Sequence, residues 1–148
     1  MNLLAADIGG TKTLLGIYKL EDTLKLIKKG YYTSTDWDNF SLILNNFLTK
    51  LPKDIKLPSY GCIGVAGVVK HGSALLTNLN WKLNEDELCK SSGINKLILL
   101  NDFSCIAYAI PFLKQSQFTI IQSKLNFIQR ENKDTFTTII GAGTGLGV

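Results

Sequence analysis

Arginine and histidine are nearly absent from this sequence: Arg130 is the only arginine among 16 lysines and arginines, and His71 is the only histidine. The net charge of +4 is carried by scattered lysines. Nucleic-acid binding, which needs clustered cations and stacking aromatics, is disfavoured. The nearest thing to a basic patch, Lys25, Lys28 and Lys29, has no interleaved aromatic pattern and reads as a solvated face. His71 stands beside Gly72 with no second ligand nearby, which argues against a metal or catalytic role. Only three cysteines occur, Cys62, Cys89 and Cys105. They are far apart, without the C-x-x-C spacing of metal and redox sites, and read as reduced, mostly buried small apolar residues. Long hydrophobic runs are missing too. Stretches such as Leu97 to Leu100 fall short of the roughly 18 residues that a membrane span needs, and no signal-like charged start precedes an apolar segment. No membrane association and a cytoplasmic location are the resulting expectations.

What is present is globular: 45% apolar and 19% charged residues over 148 positions, enough for one ordinary domain with a real core. Leu3 to Ala6 and Leu14 to Tyr18 are apolar runs flanking a Gly-Gly-Thr turn, which predicts a hairpin. A third strand is expected within Leu24 to Thr33. From Asp38 onward Phe40, Ile43, Leu44, Phe47, Leu48 and Leu51 follow helical spacing, and Pro52 ends the helix. Tyr60 to Val65 and Leu97 to Leu100 read as buried strands, with an irregular, glycine-dotted stretch between them. Inside it Asn84 is expected to cap a short helix running through Lys90, closed by Gly93. A helix over Phe103 to Leu113 and strands over Phe118 to Gln122 and Phe136 to Ile140 complete the reading. This mixed α/β order puts loops at strand ends, where such sheets bind ligands.

Four stretches carry chemistry. Asp7-Ile8-Gly9-Gly10-Thr11-Lys12 joins two strands with a carboxylate, two glycines, a hydroxyl and an amine. Glycines let backbone N–H groups close on phosphate oxygens, and a carboxylate can hold Mg²⁺ directly or through water. A plain hairpin turn of favoured residues fits the same sequence. It is not a Walker loop. Gly141 to Gly147 places glycine at every second position after an apolar strand, which suggests a loop approached closely by a ligand; a flexible linker is the bland alternative. Its spacing departs from G-x-G-x-x-G, so a dinucleotide fold is disfavoured. Asn101-Asp102 ends a buried strand and begins a helix, where an Asp serves equally as a helix cap or as a general base. Leu76-Thr77-Asn78-Leu79-Asn80-Trp81 sets amides and a hydroxyl beside an indole, suited to a sugar or simply to an Asx-rich turn.

In order, D-I-G-G-T-K, L-T-N-L-N-W, L-L-N-D-F-S-C-I-A-Y-A-I-P and G-A-G-T-G-L-G-V make this sequence resemble, nearly end to end, the bacterial glucokinases of the hexokinase and actin-like ATPase superfamily. The resemblance implies an α/β, ribonuclease-H-like mixed sheet with flanking helices over residues 1–113, and the first strands of a second, similar, larger domain over 114–148. It implies ATP-dependent phosphorylation of glucose in the cleft between domains. Asp7 would position Mg²⁺. Ile8, Gly9, Gly10, Thr11 and Lys12 would form the first nucleotide loop, although Lys12 stands where close relatives often carry Asn. Gly143, Thr144 and Gly145 match the second phosphate loop. Asn101 and Asp102 match the sugar-binding pair, Asp102 acting as the base on the 6-hydroxyl, and Asn78 matches a sugar-side loop.

Family members continue well past Val148, so the expectation is an N-terminal portion with little or no kinase activity alone and some apolar surface uncovered. Homo-oligomers are frequent in the family. The competing readings are a hexose kinase for another sugar, a non-catalytic sugar- or nucleotide-binding regulator, and an actin- or chaperone-like ATPase, which shares the phosphate turn but does not need the Asn-Asp pair. The regulator is weakened because the first strand begins at Asn2 or Leu3, leaving no room for a DNA-binding helix-turn-helix.

Overall fold

The computed structural model describes residues 1–119, 138–142 and 146–147. They fall into two compact units, Met1–Asp102 and Phe103–Val148, dividing ahead of the 113/114 boundary expected from the sequence.

The first unit contains β1 (Asn2–Ile8), β2 (Lys12–Leu20), β3 (Leu24–Thr33), α1 (Phe40–Thr49), β4 (Tyr60–Val65), β5 (Val69–Lys70), β6 (Ser73–Leu76), β7 (Trp81–Asn84), α2 (Glu85–Ser92) and β8 (Lys96–Asn101). Its main sheet has the order β3-β2-β1-β4-β8. The β1, β2 and β3 strands run as an antiparallel meander, while β1, β4 and β8 are parallel. This mixed pattern agrees with the ribonuclease-H-like expectation.

Side chains alternate across each strand, so every second residue shares a face. Leu4 and Ile8, Leu15 and Ile17, Ile63 and Val65, and Leu97 and Leu99 are buried on one face. Phe40, Ile43, Leu44, Phe47 and Leu48 of α1 form the matching apolar stripe and join the same core. The opposite face carries Leu14, Tyr31, Tyr60 and Ile98 in the open. Asn39 caps α1 by accepting a hydrogen bond from the Leu42 amide, one residue after the start expected at Asp38. The expected limits of α2 are met at both ends. Asn84 accepts from the Glu87 amide, and Gly93 adopts a left-handed φ of 74° as its own amide bonds to the Cys89 carbonyl.

The glycine-dotted stretch is where the structure departs from the sequence reading. It folds as a second, antiparallel sheet, β5-β6-β7. Its strands have two to four residues, too short to show a period. The turn residues define it instead. His71 and Gly72 have φ of 49° and 68°, the double positive φ of a two-residue hairpin loop whose twist matches its strands. The next turn is closed by the Leu79 amide bonding to the Leu76 carbonyl, with Asn80 at φ 55°. Ala74, Leu76, Trp81 and Leu83 are buried beneath this sheet.

In the second unit, α3 (Asp102–Ala109), which starts at the last residue of the first unit, gives way to a 3-10 turn over Ile110–Phe112, so the helix expected to reach Leu113 stops early. Pro111 has no amide hydrogen to continue α-helical bonding. Of the strands expected near residues 118–122 and 136–140, the described residues 118, 119 and 138–140 lie in no strand, and the others lie outside the described residues. The two-residue strands β9 (Gly141–Ala142) and β10 (Leu146–Gly147) pair antiparallel.

Candidate functional site

Parallel pairing brings three strand ends level: Ile8 of β1 is in register with Val65 of β4, which is in register with Asn101 of β8. The β1–β2 turn, the loop after β4 and the Asn101-Asp102 pair therefore meet at one edge of the sheet. Sequence proximity could not have brought them there.

The turn is built tightly. The Gly9 amide donates to the Lys12 carbonyl at 2.9 Å, and a Cβ on Gly9 would stand only 3.1 Å from that oxygen. Ser34, just after β3, holds the turn from behind. Its amide donates to the Thr11 carbonyl at 2.8 Å, and its hydroxyl donates to the Gly9 carbonyl at 3.0 Å. The Ser34 hydroxyl also lies 2.9 Å from that of Thr13, and both side chains are fully buried. Buried hydroxyls need such partners, so this pair rigidifies the turn while Thr11 and Lys12 stay exposed. The sequence reading missed Ser34 and Thr13. Their hydrogen bonds span 21 and 25 residues, and no local signal marks them.

Across the edge, the loop after β4 is tied to β1 by the Ala66 amide donating to the Ile8 carbonyl at 3.1 Å. The same loop receives the Asn101 side chain, whose Nδ2 donates to the Gly67 carbonyl at 3.0 Å and to Asp102 Oδ1 at 2.9 Å. Asp7 and Asp102 are near enough to interact. Burial first, and the Asp102 charge second, raise the Asp7 carboxyl above its ordinary value. Asn78, at the tip of the β6–β7 hairpin, reaches the turn from the other side: a Cβ on Gly10 would stand 3.6 Å from Asn78 Nδ2. The structure thus brings Asp7, Gly9, Gly10, Asn78, Asn101 and Asp102 to one place. Gly143, Thr144 and Gly145 lie outside the described residues.

Two neighbouring carboxylates, one resisting ionisation, suit a cation between or beside them, and a rigid glycine turn next to them suits an anion. Among the described residues no three His, Cys, Asp or Glu side chains cluster closely enough to hold a metal ion alone. Mg²⁺ fits such a site, because it commonly takes one or two carboxylates and fills its shell with water and substrate phosphates. No described helix is long and apolar enough to cross a membrane.

Comparison with known proteins gives a consistent picture. The glucokinase of Nostoc punctiforme is 36% identical over 147 residues, covering 98% of this chain and 41% of that protein. The glucokinase of Colwellia psychrerythraea is 33% identical over 145 residues, with 98% of this chain and 42% of the relative covered. The chain therefore spans about two fifths of the length of these curated relatives. Among solved structures, a glucokinase from an Antarctic psychrotroph superposes with a TM-score of 0.70 at 31% identity, over 78% of this chain and 37% of that one. A ROK family glucokinase from Streptomyces griseus, in complex with glucose and AMPPNP, shares the fold at a TM-score of 0.57 and 19% identity, over 74% of this chain and 36% of its own. The family model for glucokinase matches residues 4–148, nearly the whole sequence, and with this fold and these relatives the chain belongs to the glucokinase family.

Proposed function

We propose that these residues form the phosphate- and sugar-binding edge of an ATP-dependent sugar kinase that phosphorylates the 6-hydroxyl of glucose, in the cytoplasm. The observation that carries the proposal is the approach of Asp7, on the glycine turn, to Asp102 at the end of β8.

Phosphoryl transfer requires in-line positioning and charge neutralisation more than covalent help. Gly10 and Thr11 offer backbone and hydroxyl donors to the nucleotide's phosphates, Gly9 closes the turn through its own amide and leaves room for a close approach, Ser34 backs them, and Lys12 adds a cation at the turn's exposed side. Gly143, Thr144 and Gly145 are assigned to a second phosphate loop on the family resemblance. Asp7 would hold Mg²⁺, which when bound neutralises phosphate charge. Asp102 accepts the proton of the sugar hydroxyl as that oxygen attacks the γ-phosphorus, and Asn78 and Asn101 line the sugar side. A general base of this kind contributes about 10² to 10⁴ in rate. The 148 residues alone are expected to turn over little substrate, because they correspond to about two fifths of the relatives.

The test joins this sequence to the remaining length of a glucokinase relative and follows ADP release. Turnover should require glucose and fall at least about 10²-fold in Asp102→Asn. Glucose-independent ATP hydrolysis that survives this substitution would overturn the reading in favour of an actin- or chaperone-like ATPase.

A further inference from the structure

The Gly9–Gly10 peptide joins two residues without a Cβ, so its plane meets little steric resistance to turning over. It is nevertheless held. The Ser34 hydroxyl donates to the Gly9 carbonyl at 3.0 Å from a side chain that is fully buried. A carbonyl can only accept, so the single hydroxyl proton of Ser34 is spent on it. The proton of the 2.9 Å contact between the Ser34 and Thr13 hydroxyls must then come from Thr13. The two hydroxyls therefore form a chain with one direction, from Thr13 to Ser34 to the Gly9 carbonyl. The Ser34 amide also donates to the Thr11 carbonyl at 2.8 Å, so one residue grips the turn at two carbonyls.

A trans peptide points its C=O and its N–H in opposite directions, and none of the described peptides is cis. With the Gly9 carbonyl turned in to Ser34, the Gly10 N–H is turned out, and among the described residues it donates to no acceptor. We propose that the buried Thr13–Ser34 pair positions a nucleotide's phosphates by fixing the Gly9–Gly10 peptide, so that the Gly10 N–H stands outward as a phosphate donor. This goes beyond the rigidity of the turn and rests on the reading of that turn as a phosphate site. A carbonyl that accepts a hydrogen bond polarises its own peptide and strengthens the N–H on the other side. The gain is larger when that N–H meets an anion. Both side chains lie behind the turn, so they act through its backbone rather than on the ligand.

Two measurements test the proposal. In the 148-residue chain, without ligand, amide hydrogen exchange reads the turn through the Gly9 amide, which is bonded to the Lys12 carbonyl. In Ser34→Ala this amide should exchange at least about fivefold faster, the effect of about one lost hydrogen bond, while amides of β4 keep their rates. Unchanged exchange at Gly9 would overturn the hold of the hydroxyl on the peptide, independently of any ligand.

In the sequence joined to the remaining length of a glucokinase relative, calorimetry gives the Kd for ATP and for glucose. Ser34→Ala should weaken ATP at least about tenfold, as for a lost hydrogen bond to a charged group, and glucose by less than about threefold. Thr13→Val should weaken ATP about threefold, and Thr13→Ser, which keeps the proton and loses only a methyl, should stay within about twofold of the unsubstituted protein. Equal losses for ATP and glucose in Ser34→Ala, or equal losses for ATP in Thr13→Val and Thr13→Ser, would overturn the proposal and leave the pair a packing feature. Should Ser34→Ala fail to fold, the two Thr13 variants decide, in exchange as in affinity. ATP binding without glucose-dependent turnover in the unsubstituted protein would instead overturn the functional reading alone. Failure of that protein to bind ATP would overturn both.

Discussion

The two sheets of the first unit are assembled on opposite principles. In the five-stranded sheet the parallel partners come from distant sequence, with β1 beside β4 and β4 beside β8, and their buried residues meet α1 in one core. In the three-stranded sheet every pairing is local. Ser73 pairs with Lys70 across two residues, and Leu76 with Trp81 across four. The first draws its stability from non-local apolar burial. The second depends on backbone conformation at two turns and on one large anchor, Trp81, which is 2% exposed. A sheet of this second kind can still contribute to the site, because its hairpin tip carries Asn78 to the glycine turn.

The sharpest way to break this contrast is Trp81→Ala. If the small sheet shares the core, as its burial indicates, the substitution should cost about 3 to 5 kcal/mol in urea unfolding, much of the roughly 5 to 15 kcal/mol that a domain possesses. A loss below about 1 kcal/mol would make the small sheet a dispensable flap.

A smaller effect is expected where only the turn is touched. Gly72→Ala places a Cβ in a left-handed conformation and 2.9 Å from Glu85 Oε2, which should cost about 1 to 2 kcal/mol through the backbone. Hydrogen exchange should show the loss centred on β5 and β6 if the turn governs local pairing. Uniform loss across β1, β4 and β8 would erase the distinction between the two sheets.

The smallest effect tests the edge where the sheets meet. The Asp7 carboxyl lies above its ordinary value of 3.8, so the folded state holds the proton more tightly than the unfolded one. Ionised Asp7 therefore costs stability, absent below that ordinary value and present in full once pH exceeds the raised one. Asp7→Asn should leave the melting temperature unchanged at pH 3 and raise it slightly at pH 7. The gain should stay within about 0.5 kcal/mol, since the side chain is open to solvent on one side. Destabilisation at pH 7 would mean that Asp7 is held by favourable contacts rather than by repulsion.

Legibility in the sequence tracked the range of the interactions involved. The limits of α2 were readable because Asn84 and Gly93 act within one helical turn, and β4 kept its expected boundaries because a short apolar run bounded by polar residues is a local pattern, while β3 fills the stretch within which a strand was expected. Strands of two to four residues show no such pattern, and the positive φ of His71 and Asn80 falls on residue types that adopt it only occasionally, so β5 to β7 went unread. Pro111 was visible as a helix breaker, yet the expected helix was carried through it. In the candidate site, the residues with conspicuous chemistry could be named from the sequence, whereas Ser34 and Thr13 could not.

The sequence by itself determined the order of chemical groups: a carboxylate and two glycines in the first turn, amides before Trp81, and an Asn-Asp pair after a buried strand. Their residue types alone dictate what each can bind. Tertiary structure alone decided that they share one edge, because parallel registry of β1, β4 and β8 sets the distance between Asp7 and Asp102. Coulomb repulsion and hydrogen bonding then act through that distance, and separation along the chain does not encode it.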